Sequence, residues 1–138
     1  MSEWWSVLQA ARERISEPPD VDVIVQELGT DQPGDIKHFG KYLRPDIAVV
    51  TAVSDEHMEF FKNLESVAQE ELYVAKFSNL TIVNRDDIDS SYAKFAATTN
   101  IDTYGLKEPA EYRIKLEPAS PLEGRIGQLI TPEWGEVP

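Results

Sequence analysis

Three clusters of polar side chains carry the residue types that phosphoryl chemistry uses. Glu27 closes a β-branched run, Asp55-Glu56-His57 follows a second, and Asn84-Arg85-Asp86-Asp87 follows a third. With no cysteine in the chain, the metal ligands on offer are His38, His57 and the carboxylates. Disulfides, thiolate zinc sites and cysteine nucleophiles are thereby excluded, and any bound metal is expected to be a hard, oxygen-loving ion such as magnesium. A carboxylate and an imidazole at neighbouring strand ends can share such an ion, which in turn would hold nucleotide phosphates. Each residue also has a plainer reading. Glu27 reads more simply as a solvated or helix-capping carboxylate. His57 reads as a hydrogen-bonded structural histidine, Asp86-Asp87 as a turn and cap, and Glu70-Glu71 as the charged face of a helix.

The charge balance limits the partners. Twenty-five acidic residues against 13 basic ones leave a net charge of -12, which opposes binding to nucleic acid or to an anionic membrane surface. A nucleotide phosphate bound here needs a metal or another domain to supply positive charge. No apolar run approaches the roughly 20 residues of a membrane span, and the N-terminus lacks the pattern of a secretory signal. A cytoplasmic location is the expectation.

The elements that must position these residues alternate. Trp4, Val7, Leu8, Ala11 and Ile15 recur at helical spacing, predicting a helix over 4–16 that Glu17-Pro18-Pro19 ends. Trp4-Trp5 read either as core and surface anchors or as the remnant of a domain interface. Strands are predicted at 21–28, 47–53, 80–83 and 101–104, with helices at 33–43, from the Asn63 cap to 75, and at 89–97. Residues 113–116 and 128–131 read as two short antiparallel strands around a loop running from Pro118 to Gly127. The expected fold is α/β, a three-layer, mostly parallel sheet with helices on both faces and a small antiparallel extension at the C-terminus. At 138 residues the chain is expected to form one domain with its core at 20–131. Ligands of such sheets bind beyond the carboxyl ends of the strands, where the three polar clusters fall.

The blocks Glu27-Leu28-Gly29-Thr30-Asp31-Gln32-Pro33-Gly34-Asp35-Ile36, Arg44-Pro45-Asp46-Ile47-Ala48-Val49-Val50-Thr51-Ala52-Val53 and Glu56-His57-Met58-Glu59-Phe60-Phe61 carry more than spacing. With Leu64-Glu65-Ser66-Val67-Ala68, Thr81-Ile82-Val83-Asn84-Arg85-Asp86-Asp87 and Thr103-Tyr104-Gly105, they closely resemble the central domain of the Mur ligases. The D-alanyl-D-alanine-adding branch is the nearest. These ligases activate a carboxylate with ATP to an acyl phosphate, which an amine displaces to form an amide of a peptidoglycan precursor. By that resemblance Glu27 is a magnesium-binding carboxylate, His57 the ligand of a second magnesium, and Asn84 the contact to adenine. The implied partners are a UDP-muramoyl-peptide and an amino acid or dipeptide.

Departures qualify the resemblance. Glu71 stands where the family has a lysine, often carbamylated, and its carboxylate supplies similar charge on a shorter stem. Ala52 replaces the family asparagine after the second strand. No Gly-x-x-x-x-Gly-Lys-Thr/Ser phosphate loop precedes the first strand, so the main cradle for ATP is missing. The expectation is a truncated central domain, inactive alone, belonging to a working ligase. Two other readings stay open: a non-catalytic, stand-alone interaction module that keeps the fold, or a sibling such as folylpolyglutamate or cyanophycin synthetase. A sheet edge left open by the missing strand predicts self-association.

Overall fold

A computed structural model of the chain describes residues 2–16, 21–55, 57–96, 100–118 and 127–137. Helix α1 spans Ser2–Ser16, as the periodicity predicts. Its predicted terminator, Glu17-Pro18-Pro19, lies outside the described residues, as do Glu56 and most of the Pro118 to Gly127 loop.

The strand predicted at 21–28 does not form. These residues run without secondary structure, with Val25 92% exposed. β-Branched composition favours a pleated, half-buried surface and cannot make a strand without a neighbouring backbone to pair with. No described strand lies alongside this run.

Helix α2 is Asp35–Phe39, shorter than the predicted span and preceded by Gly34 at φ 102. Gly40 closes it by donating its N–H to the Ile36 carbonyl at 3.1 Å. A Cβ at Gly40 would lie 2.7 Å from the Phe77 ring, so this turn packs where only glycine fits. Strand β1, Ile47–Val50, follows. Helix α3, Leu64–Glu71, begins at an Asn63 capping box. The Asn63 side chain accepts from the Ser66 N–H at 2.9 Å, and the Ser66 hydroxyl accepts from the Asn63 N–H at 3.3 Å. The chain then tightens into a 3-10 helix at Leu72–Lys76, and the segment predicted as a helix at 89–97 is likewise a 3-10 helix, Ser90–Ala96.

Strands β2 (Leu80–Asn84), β3 (Ile101–Gly105), β4 (Tyr112–Leu116), β5 (Gly127–Thr131) and β6 (Gly135–Val137) complete a six-stranded sheet in sequential order. β1 to β4 are parallel, and β5 and β6 are the antiparallel C-terminal extension. β6 was not foreseen. It returns through a turn whose Gly135 takes φ 67, a conformation that glycine adopts without a Cβ penalty.

Alternation divides the sheet. Ala48, Val50, Thr81 and Val83 point into the core formed with Val67, Ala68, Leu72, Val74 and Ala75. On the opposite face Val49 is 56% exposed. Its register partner Ile82 lies beside it.

Candidate functional site

The loop leading into α2 is built by carboxylates. Asp35 accepts the N–H groups of Asp31 and Gln32, both at 3.1 Å. Glu70, 9% exposed on α3, accepts from Gly34 N–H at 2.9 Å and from Ile36 N–H at 2.8 Å. A buried carboxylate is stable only when its oxygens are satisfied, and orphan N–H groups at a helix start are the natural donors. Glu70 therefore fixes the loop that carries Asp31.

His57 stands opposite. It takes φ 53, the one non-glycine residue at positive φ among those described, and its carbonyl receives the Phe60 N–H at 2.9 Å. Phe61, buried at the end of this turn, anchors it. The imidazole Nε2 lies 3.6 Å from the Asp31 carboxylate. This contact joins the strand-end turn to the α2 loop in the open.

Asn84 ends β2, and its amide is heavily used. Nδ2 donates to the Thr51 carbonyl at 2.8 Å and to Asp87 at 2.7 Å, while Oδ1 accepts the Asp86 N–H at 3.0 Å. Thus Asn84 ties the end of β2 to the segment after β1, leaving one acceptor lone pair on Oδ1. Next to it, Asp86 accepts from the N–H groups of Leu106 at 2.6 Å and of Lys107 and Glu108 at 2.9 Å each. The bonds from Glu108, Leu106 and Lys107 hold its pKa below the ordinary aspartate value. Further along, the Thr103 hydroxyl donates to Glu111 and lowers that carboxylate's pKa.

Of the residues singled out from the sequence, His57 and Asn84 lie at strand ends or the turns that follow them. Glu71 is half-buried at the last position of α3, and Glu27 is exposed in the unpaired 21–28 run. Among the described residues, no three His, Asp or Glu side chains converge to hold a metal ion. Magnesium is usually held through one or two protein carboxylates, with water and substrate phosphates completing its shell, so single side chains are what the described residues offer it.

Sequence reasoning missed Asp31 as the neighbour of His57 and Glu70 as the anchor of the loop. No local signal distinguishes Glu70 from Glu71, because burial is decided by how the α2 loop docks on α3. Asp86 was read as a turn and cap, and its hold on the 106–108 backbone depends on a segment 20 residues away.

Comparison with known proteins agrees with this geometry. The profile of the Mur ligase middle domain matches residues 8–137. The UDP-N-acetylmuramoyl-tripeptide--D-alanyl-D-alanine ligase of Rickettsia prowazekii is 29% identical over 104 residues, covering 70% of this chain and 23% of that protein. The UDP-N-acetylmuramate--L-alanine ligase of Aquifex aeolicus is 32% identical over 76 residues, covering 53% of this chain and 17% of that protein. MurF from Acinetobacter baumannii shares the fold with a TM-score of 0.66 at 20% identity, over 82% of this chain and 25% of that one. The MurF ligase from Thermotoga maritima, solved in complex with ADP, gives 0.60 at 26% identity, over 73% of this chain and 24% of that one. The chain spans about a quarter or less of the length of these relatives.

Proposed function

Since this chain belongs to the Mur ligase middle-domain family, we propose that it is the central-domain portion of an ATP-dependent amide ligase of peptidoglycan precursor biosynthesis, acting through an acyl phosphate. The observation that carries the reading is the meeting of the Asp31 loop with the His57 turn at 3.6 Å, on a loop that Glu70 holds from the core. That arrangement gives a fixed polar surface beyond the carboxyl ends of parallel strands, where open α/β sheets bind ligands.

ATP is the proposed nucleotide, and a UDP-muramoyl-peptide with an amino acid or dipeptide the proposed substrates, all in the cytoplasm. No described helix is long and apolar enough to cross a membrane. Glu27 and His57 are the proposed magnesium-facing residues, and magnesium, when bound, neutralises phosphate charge. The chain's own contribution is positional. Asp31 orients the His57 ring, Asn84 keeps the end of β2 aligned with the segment after β1, and its remaining Oδ1 lone pair is available to an adenine amino group. Glu71 is proposed to supply the negative charge that the family's carbamylated lysine carries. The whole of 1–138 is proposed as a single domain, and the unpaired edge of β1 as a route to self-association.

Titration of the isotopically labelled chain with Mg-ADP or Mg-ATP, followed through its amide resonances, tests the reading. Shifts are expected at 27–34, 55–58 and 84–86, weakened at least severalfold by Glu27→Gln and by His57→Ala. Absence of any shift at high nucleotide concentration would instead favour the non-catalytic interaction module.

A further inference from the structure

The side chain of Asn84 is tied on three sides. Nδ2 donates to the Thr51 carbonyl at 2.8 Å and to Asp87 Oδ2 at 2.7 Å, and Oδ1 accepts the Asp86 N–H at 3.0 Å. A carbonyl and a carboxylate oxygen only accept, and a backbone N–H only donates, so these partners admit one orientation of the amide. Turned over, it would set Oδ1 against two acceptors and Nδ2 against a donor. The two backbone contacts suffice to fix that orientation, and Asp87 adds something else: it takes the second and last proton of Nδ2. An amide bound in this way has no donor left and one lone pair open. Asp87 reaches it from a turn that does not depend on its own side chain. The Ile88 N–H closes on the Asn84 carbonyl at 3.1 Å, the Arg85 guanidinium donates to the Ile88 carbonyl at 3.2 Å, and Ile88 is buried.

We propose that Asp87 determines which nucleobase Asn84 takes, by leaving its amide an acceptor alone and so selecting a 6-amino over a 6-oxo purine. The proposal rests on the reading of Asn84 as the base contact and adds the residue that sets its choice. Asp87 acts through Asn84 and is a positioning residue. An adenine amino group brings a proton to the open lone pair. A 6-oxo purine in the same placement brings a carbonyl oxygen, and two acceptors then face each other with no proton between them. An asparagine with a free Nδ2 proton discriminates less, because it meets the carbonyl with Nδ2 and the amino group with Oδ1. Selectivity thus comes from a contact that the wrong base cannot satisfy. Asn84 is half-buried and Asp87 exposed, so water competes for the lone pair. The preference is therefore on the order of two- to tenfold, far below that of a closed pocket.

Adenosine and inosine are the probes, because they carry no phosphate, and neither a magnesium ion nor the net charge of -12 enters the comparison. Titrations of the isotopically labelled full chain are followed through the Asn84 side-chain amide and the backbone amides of 84–88. Wild type is expected to bind adenosine on the order of two- to tenfold more tightly than inosine. Asp87→Ala frees one Nδ2 proton, so the preference is expected to disappear, chiefly because inosine gains, and that proton should exchange faster with water. Asp87→Ser, too short to reach Nδ2, is expected to match it, so the test does not hang on one variant folding. Asp87→Asn is expected to keep the preference, because its side-chain carbonyl accepts from Nδ2 as the carboxylate does. A merely structural Asp87 would weaken both nucleosides together and leave their ratio alone. That result overturns the proposal and spares the reading of Asn84, as does equal binding of the two nucleosides by wild type. Absence of shifts at 84–88 with either nucleoside overturns the proposal and the reading of Asn84 together.

Discussion

Glu70 holds the candidate site from below, and its two oxygens each accept one backbone N–H of the α2 loop, at 2.9 and 2.8 Å. Hydrogen bonds to a charged acceptor are worth more than neutral ones, and truncating the acceptor leaves buried N–H groups unsatisfied. Glu70→Ala is therefore expected to destabilise the chain by about 2–4 kcal/mol, measured as a lowered urea midpoint. Glu70→Gln keeps one acceptor but turns an amide donor toward an N–H, so it too should be destabilising; wild-type stability in both variants would show that the loop holds itself. Gly34 tests the same contact from the other side. Its φ of 102 is costly for a residue with a Cβ, although nothing lies within 4 Å of the atom that would be added. Gly34→Ala is expected to cost about 1–2 kcal/mol through the backbone alone. The Gly34→Ala, Glu70→Ala pair should be less destabilising than the sum, because strain at position 34 relaxes once Glu70 no longer holds its N–H.

The elements differ in how much of them the sequence disclosed. Helix α3 was legible from its stripe and from Asn63, because a cap is chemistry between residues three apart. Asn63→Ala is expected to lower stability by about 1 kcal/mol, with the loss appearing in denaturant unfolding and faster hydrogen exchange in the first turn of α3. An unchanged exchange rate there would mean that the packing of Val67 and Ala68 fixes the helix without its cap. The parallel strands β1, β2 and β3 were legible for a related reason. Runs such as Leu80-Thr81-Ile82-Val83 are apolar on both sides and bounded by polar turns. Residues 21–28 are also rich in β-branched side chains and form no strand, since pairing depends on a neighbour that the run itself cannot encode. β6 escaped notice because Gly135-Glu136-Val137 is too short to show a period. The site followed the same division. The positions of His57 and Asn84 came from local order along the chain, while Asp31 beside His57, and Glu70 against the backbone of the α2 loop, arise only from docking between segments.

For the molecule as a whole, the hydrogen-bonded carboxylates and a phenol set limits on the pH range of the fold. Backbone bonds lower the pKa of Asp86 and Asp89, and the Thr103 hydroxyl lowers that of Glu111. A depressed carboxylate binds its proton more weakly folded than unfolded, so its contribution is full above about pH 4 and is lost as pH falls through the lowered values. Tyr112 works in the opposite sense. It donates its phenol proton to Glu133 at 3.0 Å, which with the nearby charges raises its pKa to about 12. The folded chain keeps that proton where the unfolded chain has released it, so this contribution is full below about pH 10 and is lost as pH climbs toward the folded value. Between these limbs thermal stability should be nearly level, and Asp86→Asn should flatten the acid limb while speeding amide exchange at 106–108 on the order of tenfold. Tyr112→Phe should flatten the alkaline limb and leave the acid limb as it was, since the substitution keeps the ring on the sheet and removes only the ionisable hydroxyl. Melting temperatures of wild type and Tyr112→Phe compared from pH 4 to beyond pH 10 decide this. Superimposable alkaline limbs would mean that the Tyr112–Glu133 bond does not survive in solution, and with it the tie between β4 and the turn that leads into β6.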